Sequence, residues 1–233
     1  MPPASVELVL LPGLDGTGRL FQWLEQALAG RVATSVVSYP SDPALGYREL
    51  IALVESRMEI KPVVVLGESF SGPIAVELTA RHPDQVKGLI LAATFLRSPW
   101  PPWMLRAAAR VSIDTVPPGV RNRFLRGPRA DPELDAVINS ILSDMPSGVR
   151  ASRLREVAAV DVSKPFASLR CPVLALQGSR DFVVPRWSLK SAINHKVNAR
   201  MTEFVAGHML LQTKTKETAN EIAAFVQDIE RDL

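Results

Sequence analysis

Three residues with the makings of a nucleophile, an acid and a base stand in the chain order serine, aspartate, histidine. Ser69 lies in Val63-Val64-Val65-Leu66-Gly67-Glu68-Ser69-Phe70-Ser71-Gly72, Asp181 in Gly178-Ser179-Arg180-Asp181-Phe182-Val183-Val184-Pro185, and His208 in Phe204-Val205-Ala206-Gly207-His208-Met209. A serine hydroxyl attacks a carbonyl only when a base takes its proton, and an imidazole does so best when a carboxylate orients it and stabilises its charged form. The expected roles are Ser69 as nucleophile, His208 as base and Asp181 as orienting acid, with an acyl-enzyme formed and then released by water. The other two histidines fit less well. His82 precedes Pro83 at a helix end, and His195 lies in the polar run Asn194-His195-Lys196.

The serine needs a sharp strand-to-helix turn. Such a turn tolerates only small residues two before and two or three after the nucleophile, and Gly67, Ser71 and Gly72 occupy those places. Ser71 departs from the pattern G-x-S-x-G, but Gly72 follows at once. A tetrahedral intermediate also needs two N–H donors. The loop Pro12-Gly13-Leu14-Asp15-Gly16-Thr17-Gly18 offers the amide of Leu14, and the residue after the nucleophile offers the amide of Phe70. Two roles are open to Asp15, holding the loop or acting on substrate. A phosphate-binding loop is the weaker reading, because neither G-K-[ST] nor G-x-G-x-x-G is present.

These residues require strands to deliver them. Apolar, β-branched runs at Val6–Leu11, Ala33–Ser38, Val63–Leu66, Gly88–Ala93, Pro172–Gln177 and Arg200–Val205 alternate with helical patterns. That alternation predicts an α/β fold, a doubly wound, mostly parallel sheet with helices on both faces. Between 95 and 169 the rhythm breaks. Prolines and amphipathic helical segments fill a stretch of roughly seventy residues, too long for a plain connection. The expected organisation is a core of 1–94 and 170–233 with a helical lid at 95–169, covering the strand ends where ligands bind in open α/β sheets.

Length and composition fit one globular domain: 233 residues, 47% hydrophobic and 22% charged. A net charge of +3 is mild and does not by itself point to nucleic acid, a reading that needs a concentrated basic face, and no nucleic-acid partner is expected. The single cysteine, Cys171, excludes an internal disulfide and reads as a buried small hydrophobe. Met1-Pro2-Pro3-Ala4-Ser5 lacks a signal peptide's basic start, and no apolar run is long enough to span a bilayer. A cytoplasmic protein without integral membrane association is expected. No metal-ligand spacing is visible, so no metal and no cofactor are expected.

Taken together, the segments PGLDGTG, GESFSG, GSRDFVVP and AGHMLLQ resemble those of the α/β-hydrolase superfamily, and the compact form with a helical lid is similar to small bacterial carboxylesterases. The resemblance implies the α/β-hydrolase fold, here without the family's first two strands, because the first strand leads directly into the oxyanion loop. Pro12-Gly13 stands where many members carry His-Gly.

Phe95, Trp100, Phe182 and Met209 flank the site and are expected to bind the apolar acyl or alkyl group of a small-molecule ester. Arg97, Arg106, Arg110, Arg121, Arg123, Arg126 and Arg129 make the lid locally basic, with Asp114 as the acidic residue of that stretch. They leave a second reading open: a thioesterase or acyltransferase acting on groups carried by acyl carrier protein or coenzyme A. A third is a ligand-binding protein that kept the fold without the chemistry. A dehalogenase is disfavoured, since that chemistry needs a carboxylate where Ser69 stands.

Overall fold

The computed structural model describes residues 6–111 and 115–233. The N-terminal pentapeptide and Asp114, both used above, fall outside them. Six strands form one sheet: β1 (Glu7–Leu11), β2 (Ala33–Val36), β3 (Val63–Glu68), β4 (Val86–Ala92), β5 (Val173–Gly178) and β6 (Ala199–Phe204). Their order is β2-β1-β3-β4-β5-β6, and every neighbouring pair is parallel. The sheet is therefore more uniform than the mostly parallel one expected.

Period-two alternation sorts the core into two layers. Val9, Leu11, Val63, Val65, Leu89, Leu91, Val173 and Ala175 face one way. There they pack against α2 (Tyr47–Arg57), α3 (Gly72–Arg81), α8 (Ser163–Ser168) and α9 (Trp187–Asn194). Leu8, Leu10, Val64, Leu66, Ile90, Ala92, Leu174 and Leu176 face the other way, against α1 (Gln22–Leu28) and α11 (Thr215–Arg231). Helix α11 buries Ile222, Phe225, Val226 and Ile229, which recur at helical spacing on one face. A strand buried on both sides needs apolar residues at every position, and β3 has them up to Gly67.

Between β4 and β5 the chain runs through α4 (Pro102–Ala108), α5 (Pro118–Arg126), α6 (Pro132–Asp144), α7 (Ser147–Ala159) and then α8. The first three begin with a proline in their first turn, where its missing N–H costs no hydrogen bond. Asp131 caps α6 by accepting from the amide of Leu134 at 3.0 Å. Within 95–169 the extended pairing of the described residues is a single antiparallel bridge between Arg97 and Asp161. Three short helices had no counterpart in the sequence pattern: α8, α9 and α10 (Leu210–Thr213).

Candidate active site

The carboxyl ends of β3, β5 and β6 converge on one point above the sheet. Ser69 Oγ lies 2.9 Å from His208 Nε2, and His208 Nδ1 lies 2.8 Å from Asp181 Oδ2. The other carboxylate oxygen of Asp181 accepts from the amides of Val183 at 2.8 Å and Val184 at 2.9 Å. Those two bonds, with full burial of the Asp181 side chain, fix the carboxylate against the ring. Burial of the imidazole pulls its pKa down. The charge of Asp181, the bond to it and the charge of Glu68 outweigh that effect, so the net shift is upward.

Ser69 is held at φ 51°, a left-handed conformation unusual for a residue with a side chain. Its neighbours leave no alternative. A Cβ at Gly67 would come within 2.6 Å of the Ser71 carbonyl oxygen, and one at Gly72 within 2.1 Å of Thr94 Oγ1. Thr94 Oγ1 donates to the Ser69 carbonyl. Ala93, the residue before it, is itself at φ 47°. The strain is thus braced from the end of β4.

Ser71, at the position of the motif's second glycine, is fully buried and has its own task. Its hydroxyl donates to the Pro12 carbonyl, and the Tyr39 hydroxyl lies 2.7 Å from the same oxygen. A serine has one proton to give, so Tyr39 is the donor of the second bond. The elbow is thereby tied to the loop that carries Leu14. In that loop Asp15 accepts from both the amide (2.9 Å) and the hydroxyl of Thr17, a loop-holding arrangement. A Cβ at Gly13 would sit 3.8 Å from Ser69 Cβ, so this loop runs close beside the serine.

Glu68 precedes the serine and had no role in the sequence argument. It is buried, borders the cavity and accepts from Gln212 Nε2 at 3.0 Å. Desolvation raises its pKa to about 7, against the bond from Gln212 and with help from the charge of Asp15. A charged residue ending an otherwise apolar central strand was the sequence signal for it.

A cavity of about 710 Å³ opens over Ser69 and His208. Leu14, Phe70, Phe95, Trp100 and Met209 border it, with Leu105, Val120, Phe124, Ile138, Ile141 and Val157 contributed from α4 to α7. Phe182 does not border it. Its ring is 65% exposed and stacks on Phe124 with centroids 6.3 Å apart, because the amides that follow it turn inward to Asp181 and leave its side chain outside.

The basic character of the 95–169 segment is also unevenly available. Arg126 is spent on a two-pronged ion pair with Asp135 at 2.6 and 2.9 Å, and Arg121 donates to Asn139 at 2.5 Å. Arg106, Arg110, Arg123 and Arg129 are exposed and pair with no carboxylate among the described residues. His82 and His195 lie at helix ends, bonded to Glu55 at 3.1 Å and to the Ser191 carbonyl at 2.6 Å. Cys171 is partly buried, and desolvation raises its thiol pKa to about 11. Among the described residues no cluster of three or more potential metal ligands occurs, and no helix is long and apolar enough to cross a membrane.

Residues 8–221 match the model of the alpha/beta hydrolase family. A pimeloyl-[acyl-carrier protein] methyl ester esterase of Chromobacterium violaceum is 29% identical over 212 residues, covering 79% of this chain and 81% of that protein. Lipase LipV of Mycobacterium tuberculosis is 30% identical over 192 residues, covering 73% of this chain and 70% of LipV. Among solved structures, the enol-lactonase of Burkholderia xenovorans superposes with a TM-score of 0.83 at 19% identity, over 96% of this chain and 92% of the lactonase. An esterase of Exiguobacterium antarcticum gives 0.79 at 16% identity, over 96% and 93%. At those identities the structures speak for the fold alone.

Proposed function

Since the chain belongs to the alpha/beta hydrolase family, we propose that it is a carboxylic ester hydrolase working through a Ser69–His208–Asp181 triad. The observation that carries this is the unbroken hydrogen-bonded chain from Ser69 Oγ through the imidazole to a buried carboxylate, set at the floor of an apolar cavity. His208 Nε2 takes the Ser69 proton as Oγ attacks the ester carbon. The negative charge that develops on the carbonyl oxygen falls to the amides of Leu14 and Phe70. Collapse expels the alcohol with the proton from His208 and leaves an acyl-enzyme. Water, deprotonated by the same imidazole, releases the acid and frees Ser69. Asp181 keeps the Nδ1–H of His208 directed at itself.

The cavity lies within the range of small-molecule sites, and its lining suits an apolar acyl or alkyl chain held by Phe95, Trp100 and Met209. The 95–169 segment supplies most of its walls and acts as the lid. A second reading is supported by the carrier-protein esterases among the relatives and by the exposed arginines of α4 and α5: acyl groups delivered on an acyl carrier protein or coenzyme A. Rising salt would then depress turnover of the carried substrate and spare a simple ester. The proposed location is the cytoplasm, in keeping with the single unpaired cysteine.

The test is hydrolysis of a p-nitrophenyl ester series by the wild type and by Ser69→Ala. Activity that disappears in the variant, with a chain-length optimum set by the cavity, is the expected result. Equal activity in both removes Ser69 as nucleophile. A folded wild type inactive on every ester and every carrier-linked acyl group leaves a ligand-binding role.

A further inference from the structure

The largest fully buried side chain among the described residues is a cation with no carboxylate in contact with it; the charge of Asp15 reaches it only through space. Arg153, on α7, is 1% exposed and takes part in no ion pair among the described residues. Its Nη1 donates to the Leu14 carbonyl at 2.7 Å and its Nη2 to the Pro40 carbonyl at 3.0 Å. The guanidinium carbon lies 5.8 Å from the centre of the Tyr39 ring and 5.8 Å from that of Phe70. Nε has no partner. The oxyanion loop makes room for the group: a Cβ at Gly16, which sits at φ +73°, would come within 2.5 Å of Nη1.

A buried charge held by carbonyls and countered only at a distance, here by Asp15, is costly. Here it touches both residues whose amides are assigned to the oxyanion. One hydrogen bond holds the Leu14 carbonyl, one peptide beyond the Leu14 amide, and the cation rests over the Phe70 ring. Phe70 is held from its other side too, since Tyr47 stacks on it at 4.7 Å and the Tyr47 hydroxyl donates to the Phe70 carbonyl at 3.0 Å. Tyr39, the third contact of the guanidinium, is the residue bonded to Ser71.

We infer that Arg153 is a positioning residue for the oxyanion hole. It locks the loop of Leu14 against the elbow of Phe70 and places a positive charge, countered only through space by Asp15, behind the two amides toward which negative charge develops. The inference rests on the ester-hydrolase reading of Ser69. Because Arg153 belongs to a lid helix, the same contact makes the donor geometry depend on α7 being seated.

A group that acts through the transition state changes kcat, and changes the affinity of a transition-state mimic by the same factor. The experiment measures kcat, KM, inhibition by an alkyl boronic acid and binding of the product alcohol for the wild type, Arg153→Met and Arg153→Lys, with thermal melts of each. Ser69→Ala serves as the control for the underlying reading. For Arg153→Met, kcat is expected to fall roughly 10- to 100-fold, below the full loss of an oxyanion donor, with KM within about threefold. Boronic acid affinity should fall in parallel, alcohol binding should hold, and Arg153→Lys should recover part of both losses. If Arg153→Met does not fold, Arg153→Lys alone decides, by the same parallel between kcat and boronic acid affinity. Unchanged kcat, or a kcat loss with boronic acid affinity intact, overturns the inference while a dead Ser69→Ala keeps the hydrolase reading. A folded wild type that is inactive and takes up no boronic acid overturns both.

Discussion

Replacing Ser71 by glycine would restore the G-x-S-x-G pattern, and the structure predicts that it would harm the protein. The Ser71 hydroxyl donates to the Pro12 carbonyl and accepts from Tyr39, with no exposure to solvent. Ser71→Gly leaves a buried carbonyl and a buried phenol without partners. Each orphan costs about 1–3 kcal/mol, and partial relaxation brings the expected total to about 2–4 kcal/mol. For a chain of this size, 1 kcal/mol corresponds to about 2–4 °C in Tm, so a fall of roughly 4–16 °C is expected. Activity should fall too, because the bond to Pro12 is what ties the elbow to the Leu14 loop. Tyr39→Phe removes only one partner and should cost about 1 kcal/mol. In a Tyr39→Phe/Ser71→Gly double variant one orphan disappears, so the combined loss should be smaller than the sum. Urea denaturation of the four proteins measures this. A Ser71→Gly variant as stable and as active as the wild type would show that Ser71 merely stands in for glycine, and the reasoning would fail.

Two further outcomes follow from the charges at the site. Glu68 has a native pKa of about 7 against an ordinary 4.5, so between those values the folded state holds a proton that the unfolded state has lost. Stability from this group is present at acid pH and declines as pH rises through that window, by on the order of 3 kcal/mol. Glu68→Gln should flatten that decline in urea titrations at pH 5 and pH 8, and identical slopes would refute it. Because Glu68 is one of the groups raising the His208 pKa, the acid limb of kcat/KM should also move to lower pH in the variant. Asp181→Asn should keep the amide bonds of Val183 and Val184 yet present an N–H to His208 Nδ1, forcing the wrong tautomer. A drop in kcat of roughly ten-thousand-fold with an unchanged melting curve is expected, and retention of a tenth of the activity would contradict the orienting role.

All six strands lie where the sequence places them; β1, β3, β4 and β5 are apolar runs of the kind a doubly covered sheet requires, while the edge strands β2 and β6 are more polar and only partly buried. Two of the short helices were illegible for a physical reason: α8 and α10 have 6 and 4 residues, too few turns to show a period, while α9 buries only Leu189 and Ile193. The residues of the proposed triad stand out in the sequence because each follows closely on a strand. Their supports do not. Arg153 meets Leu14 across 139 positions and Gln212 meets Glu68 across 144, and no local pattern encodes such a pairing. A clue to Arg153 was nonetheless present, since it shares the inward face of α7 with Val149, Arg150 and Val157, where a cation has no ordinary reason to be. Phe182 shows the opposite limit. Its neighbours in the chain are at the site, while the turn that satisfies Asp181 directs its ring outward.

The sheet's order also governs how the chain comes off the ribosome. β4 and β5 are hydrogen-bonded neighbours, yet about eighty residues separate them, a closure costing about 4 kcal/mol of chain entropy before any pairing repays it. Until β5 arrives, β4 is an unprotected edge carrying Leu89, Ile90 and Leu91, side chains that the finished molecule hides completely. Ser69 is synthesised before that junction, whereas Asp181 and His208, its proposed acid and base, lie beyond it. The nascent chain therefore passes through a long interval in which the proposed nucleophile has no base beside it, while its exposed strand invites pairing with other chains. Slow or interrupted translation through the helical segment should act on yield through aggregation, leaving the specific activity of the molecules that finish untouched.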